Sequence, residues 1–146
     1  MNTPIVSFFT AVALSFSMPS AFAQEQTLGG AEAGSPKVNI IGKCWQRDTK
    51  PKVNKCLENS LARLDHQVRQ RLVVLNQQAV DLESISEGAK GLVLALESAK
   101  SEFGEFRQAL CHWEGLMMAG GSGSASQYLS CEIELTQHWL SRLHQW

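Results

Sequence analysis

The sequence predicts an all-α fold, a small antiparallel three-helix bundle with two disulfides and a flexible N-terminal arm. Three observations lead there. Four cysteines fall into two pairs, Cys44-x11-Cys56 and Cys111-x19-Cys131. Three runs of apolar residues recur at intervals of four and three, the spacing of one helix face. No segment alternates apolar and polar residues between turns, as a half-buried strand would.

The first element is a targeting segment. Ile5 to Phe16 is apolar, Pro19 interrupts it, and Ala21-Phe22-Ala23 puts small residues where a signal peptidase reads them. Residues 1–23 are therefore read as a signal peptide, although only the Met1 amine supplies positive charge ahead of the apolar core. The stretch falls short of the roughly 20 residues a spanning helix needs, so no stable membrane insertion is expected. No cysteine stands at the cleavage site, which argues against a lipid anchor. The expected location is periplasmic or secreted. Residues 24–43 form the arm, rich in Gly, Ala and Glu as far as Pro36, and residues 44–146 form the helical domain.

The first long helix starts around Pro51, which belongs at or before the first turn because proline cannot donate to an interior helical bond. Its stripe is Leu57, Leu61, Leu64, Val68, Leu72, Leu75, Ala79 and Leu82. A break follows near Gly88 and Gly91, with Ser84 and Glu87 spaced as a capping box for the next helix. The second stripe, Leu92, Leu96, Ala99, Phe103, Phe106, Leu110, Trp113 and Met117, is the most regular and is expected to bury one face completely. A Gly/Ser loop is placed from Gly115 to Gln127, with Met117 and Met118 as core filler at its root. The third stripe is Leu129, Ile133, Thr136, Leu140 and Leu143. Short connections make the helices pack antiparallel.

In an oxidising compartment, an even number of cysteines in a chain of this length reads as a disulfide framework. Three pairings are possible, and sequence proximity favours Cys44 with Cys56 and Cys111 with Cys131. Each short bridge removes roughly 3 kcal/mol of unfolded-state entropy. Cys111, His112, His138 and His144 are the candidates for a metal or redox site, but no Cys-x-x-Cys or paired-His motif accompanies them, so neither metal nor cofactor is expected. An enzyme is disfavoured too. Cys111 and His112 are adjacent and point about 100° apart on a helix, and Ser122 and Ser124 have no base beside them.

The formal charge is −1, unlike that of a nucleic-acid binder, yet it is unevenly spread. Residues 37–71 hold nine Lys or Arg against three acids, and residues 72–146 hold four against nine. The acidic later half suits a cationic partner.

Cys44-x11-Cys56, Leu61-Ala62-x-Leu64-Asp65, Phe103-x-x-Phe106-Arg107-x-x-x-Cys111, Gly120-Gly121-Ser122, and Cys131 followed by Thr136 and Leu143 together resemble the LprI-type lysozyme-inhibitor domain family. The resemblance covers residues 44–143. It departs at Phe103 and Phe106, where the family pattern has Trp and Tyr, and at Gln108, where an acid is usual. It departs again at Trp139, where the family has an Arg, with Arg142 nearly one turn further on.

The resemblance implies a small, exported, disulfide-bonded helical protein that binds and inhibits a lysozyme-type wall hydrolase. The alternative is a non-enzymatic envelope binding module, or an immunity-type protein with another protein partner. Asp65 and Arg107 are expected to form a structural ion pair between helices, with Phe103 and Phe106 as structural bulk. The expected partner-binding residues are Gly120, Gly121, Ser122, Gly123 and Ser124 in the tethered loop. Trp139 joins them, paired with Trp146 two turns on or packed against the arm or the Cys44-Trp45 segment. Glu102, Glu105 and Glu114 are the candidates for electrostatic steering. The sequence does not set the oligomeric state.

Overall fold

A computed structural model of the chain describes residues 39–146; the signal-peptide reading and nearly all of the arm lie outside the described residues. Four α-helices follow one another: α1 over Ile40–Trp45, α2 over Lys50–Ile85, α3 over Leu92–Met117 and α4 over Ser124–Leu143. One turn of 3-10 helix, Glu87–Ala89, joins α2 to α3, and no strand occurs among the described residues. The three long helices are those the sequence predicts. The short α1 is an addition, and it takes Ile40 to Lys43 out of the expected arm.

Helix α1 begins where the Asn39 side chain accepts a hydrogen bond from the Gly42 N–H at 2.7 Å. It is fastened to α2 by the Cys44–Cys56 disulfide, and Ile41 packs against a core of Val53, Leu57, Leu64 and Ile133. Pro51 lies in the first turn of α2 as expected. The α2 stripe is buried at Leu57, Leu64, Leu75 and Ala79, but Leu82 is half exposed. At its end the Ser84 hydroxyl donates to the Asp81 carbonyl at 2.7 Å, so the expected capping box with Glu87 does not form. The start of α3 is capped from α2 instead: the Val93 N–H donates to Glu83 at 2.9 Å. Gly91 turns the chain there with φ of 88°, a left-handed geometry that favours glycine.

Helix α4 is the middle of the bundle. It packs along both α2 and α3, which touch each other far less. Its buried face carries small polar residues, each with a partner. Ser126 donates to Asn54 at 2.6 Å, Ser130 accepts from the Trp45 indole at 3.2 Å, and Thr136 donates to the Glu132 carbonyl at 2.7 Å. The Arg71 guanidinium donates to the Leu143 carbonyl at 3.1 Å, a cation at the negative end of the helix dipole.

Arg107 holds α3 in place. One of its terminal nitrogens donates to Asp65 on α2 at 2.8 Å and to Thr136 on α4 at 2.7 Å. Its Nε lies buried 3.7 Å from Glu132, too far for a hydrogen bond. One turn on, the Cys111–Cys131 disulfide fixes the same face of α3 to α4. Both cystine pairs are those favoured by sequence proximity.

This anchoring corrects the expectation for α3. With Arg107 and Cys111 facing inward, Phe106 and Trp113 are each 56% exposed and Met117 is 67% exposed. The stripe repeats every 3.5 residues, whereas a straight helix turns every 3.6, so it drifts about 20° per heptad off the packed face.

Replacing Arg107 by Leu strands Asp65 and Glu132 without their cation. Side-chain exposures of 21% for Arg107 and 31% for Asp65 put the expected loss near 2 kcal/mol, below the roughly 3–5 kcal/mol of a fully buried pair. Urea unfolding measures it. No change in stability would mean that the pair contributes nothing to holding the helices.

Candidate functional site

The α3–α4 connection is shorter and tighter than the expected Gly115 to Gln127 loop. Helix α3 runs through Met117 and α4 starts at Ser124, which leaves residues 118–123. Gly115 is buried inside α3, and the Ser124 hydroxyl donates to its carbonyl at 2.8 Å. Backbone bonds close the turn: Ala119 N–H to Leu116, Gly121 N–H to Met118 and Ser124 N–H to Gly121, at 2.9, 3.0 and 3.0 Å. Ala119 and Gly120 both have positive φ, 50° and 71°, and for the alanine this is a strained conformation that its surroundings must hold. The connection is therefore a fixed turn. Gly120, Gly121 and Ser122 are exposed on it, while Gly123 and Ser124 are half-buried.

Beside the turn lies a surface that reading the stripes misassigned. Phe106, Trp113, Leu116, Met117 and Met118 are between 45% and 67% exposed. Met117 and Met118 are thus surface rather than core filler. All five stand on the second half of α3 or its cap, and Leu116 among them lines a shallow depression of about 620 Å³ with His112, Ser122 and Tyr128. Exposed apolar side chains in this number are the kind of surface through which proteins make contacts.

The steering candidates are not brought together. Glu102 and Glu105 are exposed, four residues and one residue before Phe106. Glu114 is half-buried and accepts from the Gln127 side chain at 3.0 Å, which ties α3 to the first turn of α4. Trp139 is also elsewhere. It lies about 22 Å along α4 from Ser124, half-buried, with its ring stacked on Phe103 at 5.0 Å between centroids. Its stacking partner is Phe103 rather than Trp45, and arm residues 24–38 lie outside the described residues. Trp146 lies beyond the end of α4, so the two tryptophans do not share a helix face, but both line one groove. The stacked partners are two of the positions at which this chain departs from the family pattern, so those departures meet in one contact.

The described residues contain no cluster of His, Cys, Asp and Glu able to hold a metal ion. Both residues of the Cys111-His112 pair are accounted for, the thiol as a disulfide and the imidazole as exposed surface.

Under the turn, Tyr128 donates to Glu132 at 3.1 Å. Burial raises the phenol above its ordinary 10.0, and the Glu132 carboxylate adds to the shift while Arg107 opposes it. The neutral form is thus favoured by folding, so stability present below pH 10.0 is lost as pH rises through the folded value. Tyr128 is the single tyrosine of the chain, so phenolate absorbance reads it directly. The native midpoint is expected above 10.0, returning to 10.0 in denaturant and falling in Glu132→Gln. A native midpoint at or below 10.0 would remove Glu132 from contact with the phenol.

Among known protein families, the chain matches the one described as lysozyme inhibitor LprI, over residues 43–143. No curated protein and no solved structure matches the chain. The matched span takes in both cystine pairs, the Arg107 junction, the turn and almost all of the packed helices. The chain belongs to the LprI lysozyme inhibitor family.

Proposed function

We propose that this chain acts outside the cytoplasm, where it binds a lysozyme-type wall hydrolase and blocks its cleft. The α3–α4 turn and the exposed half of α3 form the docking face. The observation that carries the reading is the set of Phe106, Trp113, Leu116, Met117 and Met118 standing exposed beside a rigid turn, in a member of an inhibitor family. A turn already held by its own hydrogen bonds and by Cys111–Cys131 loses little entropy on docking. Gly120, Gly121 and Ser122 let backbone approach closely, and Trp113 is the residue type most often found as a binding hot spot.

Charge supports the same partner class. Many lysozymes present a positive surface around a carboxylate-lined cleft, and Glu102 and Glu105 place two carboxylates next to the apolar set. They steer a cationic enzyme toward the face and act on the association rate more than on final affinity. Two disulfides fit an oxidising compartment, and no helix among the described residues is long and apolar enough to cross a membrane.

The test is lysis of cell-wall suspensions by a panel of lysozymes, with the oxidised protein at micromolar concentration. Lysis by at least one class is expected to slow. Trp113→Ala should weaken inhibition by at least about tenfold, and rising salt should weaken it further through Glu102 and Glu105. Unchanged lysis across the panel would overturn the reading.

A further inference from the structure

At the opposite end of the bundle, α4 stops at Leu143 while α2 continues about 15 Å beyond Leu75. Between α2 and the start of α3 this leaves an open apolar groove of about 740 Å³, walled by Leu75, Ala79, Leu82, Leu96 and Trp139. The apolar surface does not end with the groove. Trp146 is 82% exposed at its margin, and Ile85, less than one turn beyond Leu82 on α2, is 80% exposed. A small ligand seated in the groove would leave most of these side chains in water, so the surface has the extent of a contact between macromolecules.

The charges on the groove select the partner. Asp81 from α2 and Arg142 from α4 both line it. Neither has an oppositely charged partner among the described residues: Asp81 accepts from Gln77 at 2.9 Å and Arg142 donates to Gln145 at 2.8 Å. A partner carrying one dominant charge would set one of the two against its like. A second copy related by a two-fold axis presents Arg142 to Asp81 and Asp81 to Arg142, and it brings its own exposed Trp146 to an apolar groove.

We propose that two copies of this chain associate through this groove, with Trp146 of each seated in the groove of the other and Asp81 paired with Arg142 across the axis. The contact lies about 30 Å along α3 from the turn, so it leaves the hydrolase-docking face free on both copies. The assembly is then a dimer with two outward-facing turns. Its existence does not depend on whether a hydrolase is the partner there.

Sedimentation velocity of the oxidised full chain over a dilution series tests it. A dimer that dissociates on dilution is expected. Asp81→Arg and Arg142→Asp should each raise its dissociation constant at least about tenfold, and the chain carrying both changes should regain the dimer. Trp146→Ser should weaken it while the helical circular dichroism stays unchanged. Recovery in the doubly swapped chain separates loss of contact from loss of fold, and association through the apolar N-terminal stretch would not respond to either charge. A monomer at every concentration, or a dimer indifferent to both single charge reversals, overturns the proposal.

Discussion

The rotation of α3 about its own axis is the setting on which the rest of the structure depends. Arg107 and Cys111 stand one turn apart on one face of that helix, and both are tied to α4, one through Thr136 and the other through Cys131. Arg107 is also tied to α2 through Asp65. Two anchors at neighbouring levels leave a helix no freedom to roll. Phe106, the residue before Arg107, is turned about 100° away from it as a consequence, and Trp113 and Met117 follow toward solvent. A polar group and a covalent bond thus occupy the packed face where apolar side chains would otherwise sit, and the displaced apolar side chains become surface.

Reading the sequence captured the parts of the fold governed by local rules. The stripes of α2 and α4 predict much of their buried faces, Leu82 excepted, although α4 also buries Ser126, Ser130 and Glu132, which no apolar spacing marks. On α3 the same rule failed, because a 3.5-residue spacing identifies one side of a helix without showing which side two anchors will select. The signal lay in Arg107 and Cys111 sharing an i,i+4 relation, which outranked the stripe. Helix α1 went unread because it is only six residues long and adjoins a Gly-rich stretch, although Asn39 three residues before Gly42 is a capping pattern. The Gly/Ser segment was correctly read as a connection and wrongly read as long. Serines and small residues such as Ser124 and Ala125 can start a helix as readily as they extend a loop. The groove was not legible at all, since it arises from the different lengths of three helices.

The two ends of the bundle have different characters. Near the turn, small residues, a disulfide and a net of hydrogen bonds from Ser124, Gln127 and Tyr128 hold the backbone closely while large apolar side chains project outward. At the other end α2, α3 and α4 leave an open apolar groove, and two of the residues that depart from the family pattern meet beside it: Trp139 lines the groove and stacks on Phe103. An aromatic pair on that side suits a protein that uses this end for a contact of its own. The turn end keeps Gly120, Gly121 and Ser122, the residues through which the chain resembles its family.

The account rests on the outward half of α3 being both free in the isolated protein and covered by a bound hydrolase. Hydroxyl-radical footprinting of the oxidised protein, alone and with a lysozyme that it retards, measures both at once. The account predicts rapid oxidation of Trp113 and Met117 in the free protein, strong shielding of both by the enzyme, and no enzyme-dependent change at Trp146. Slow oxidation of Trp113 and Met117 in the free protein, or oxidation equally fast with the enzyme bound, would contradict it.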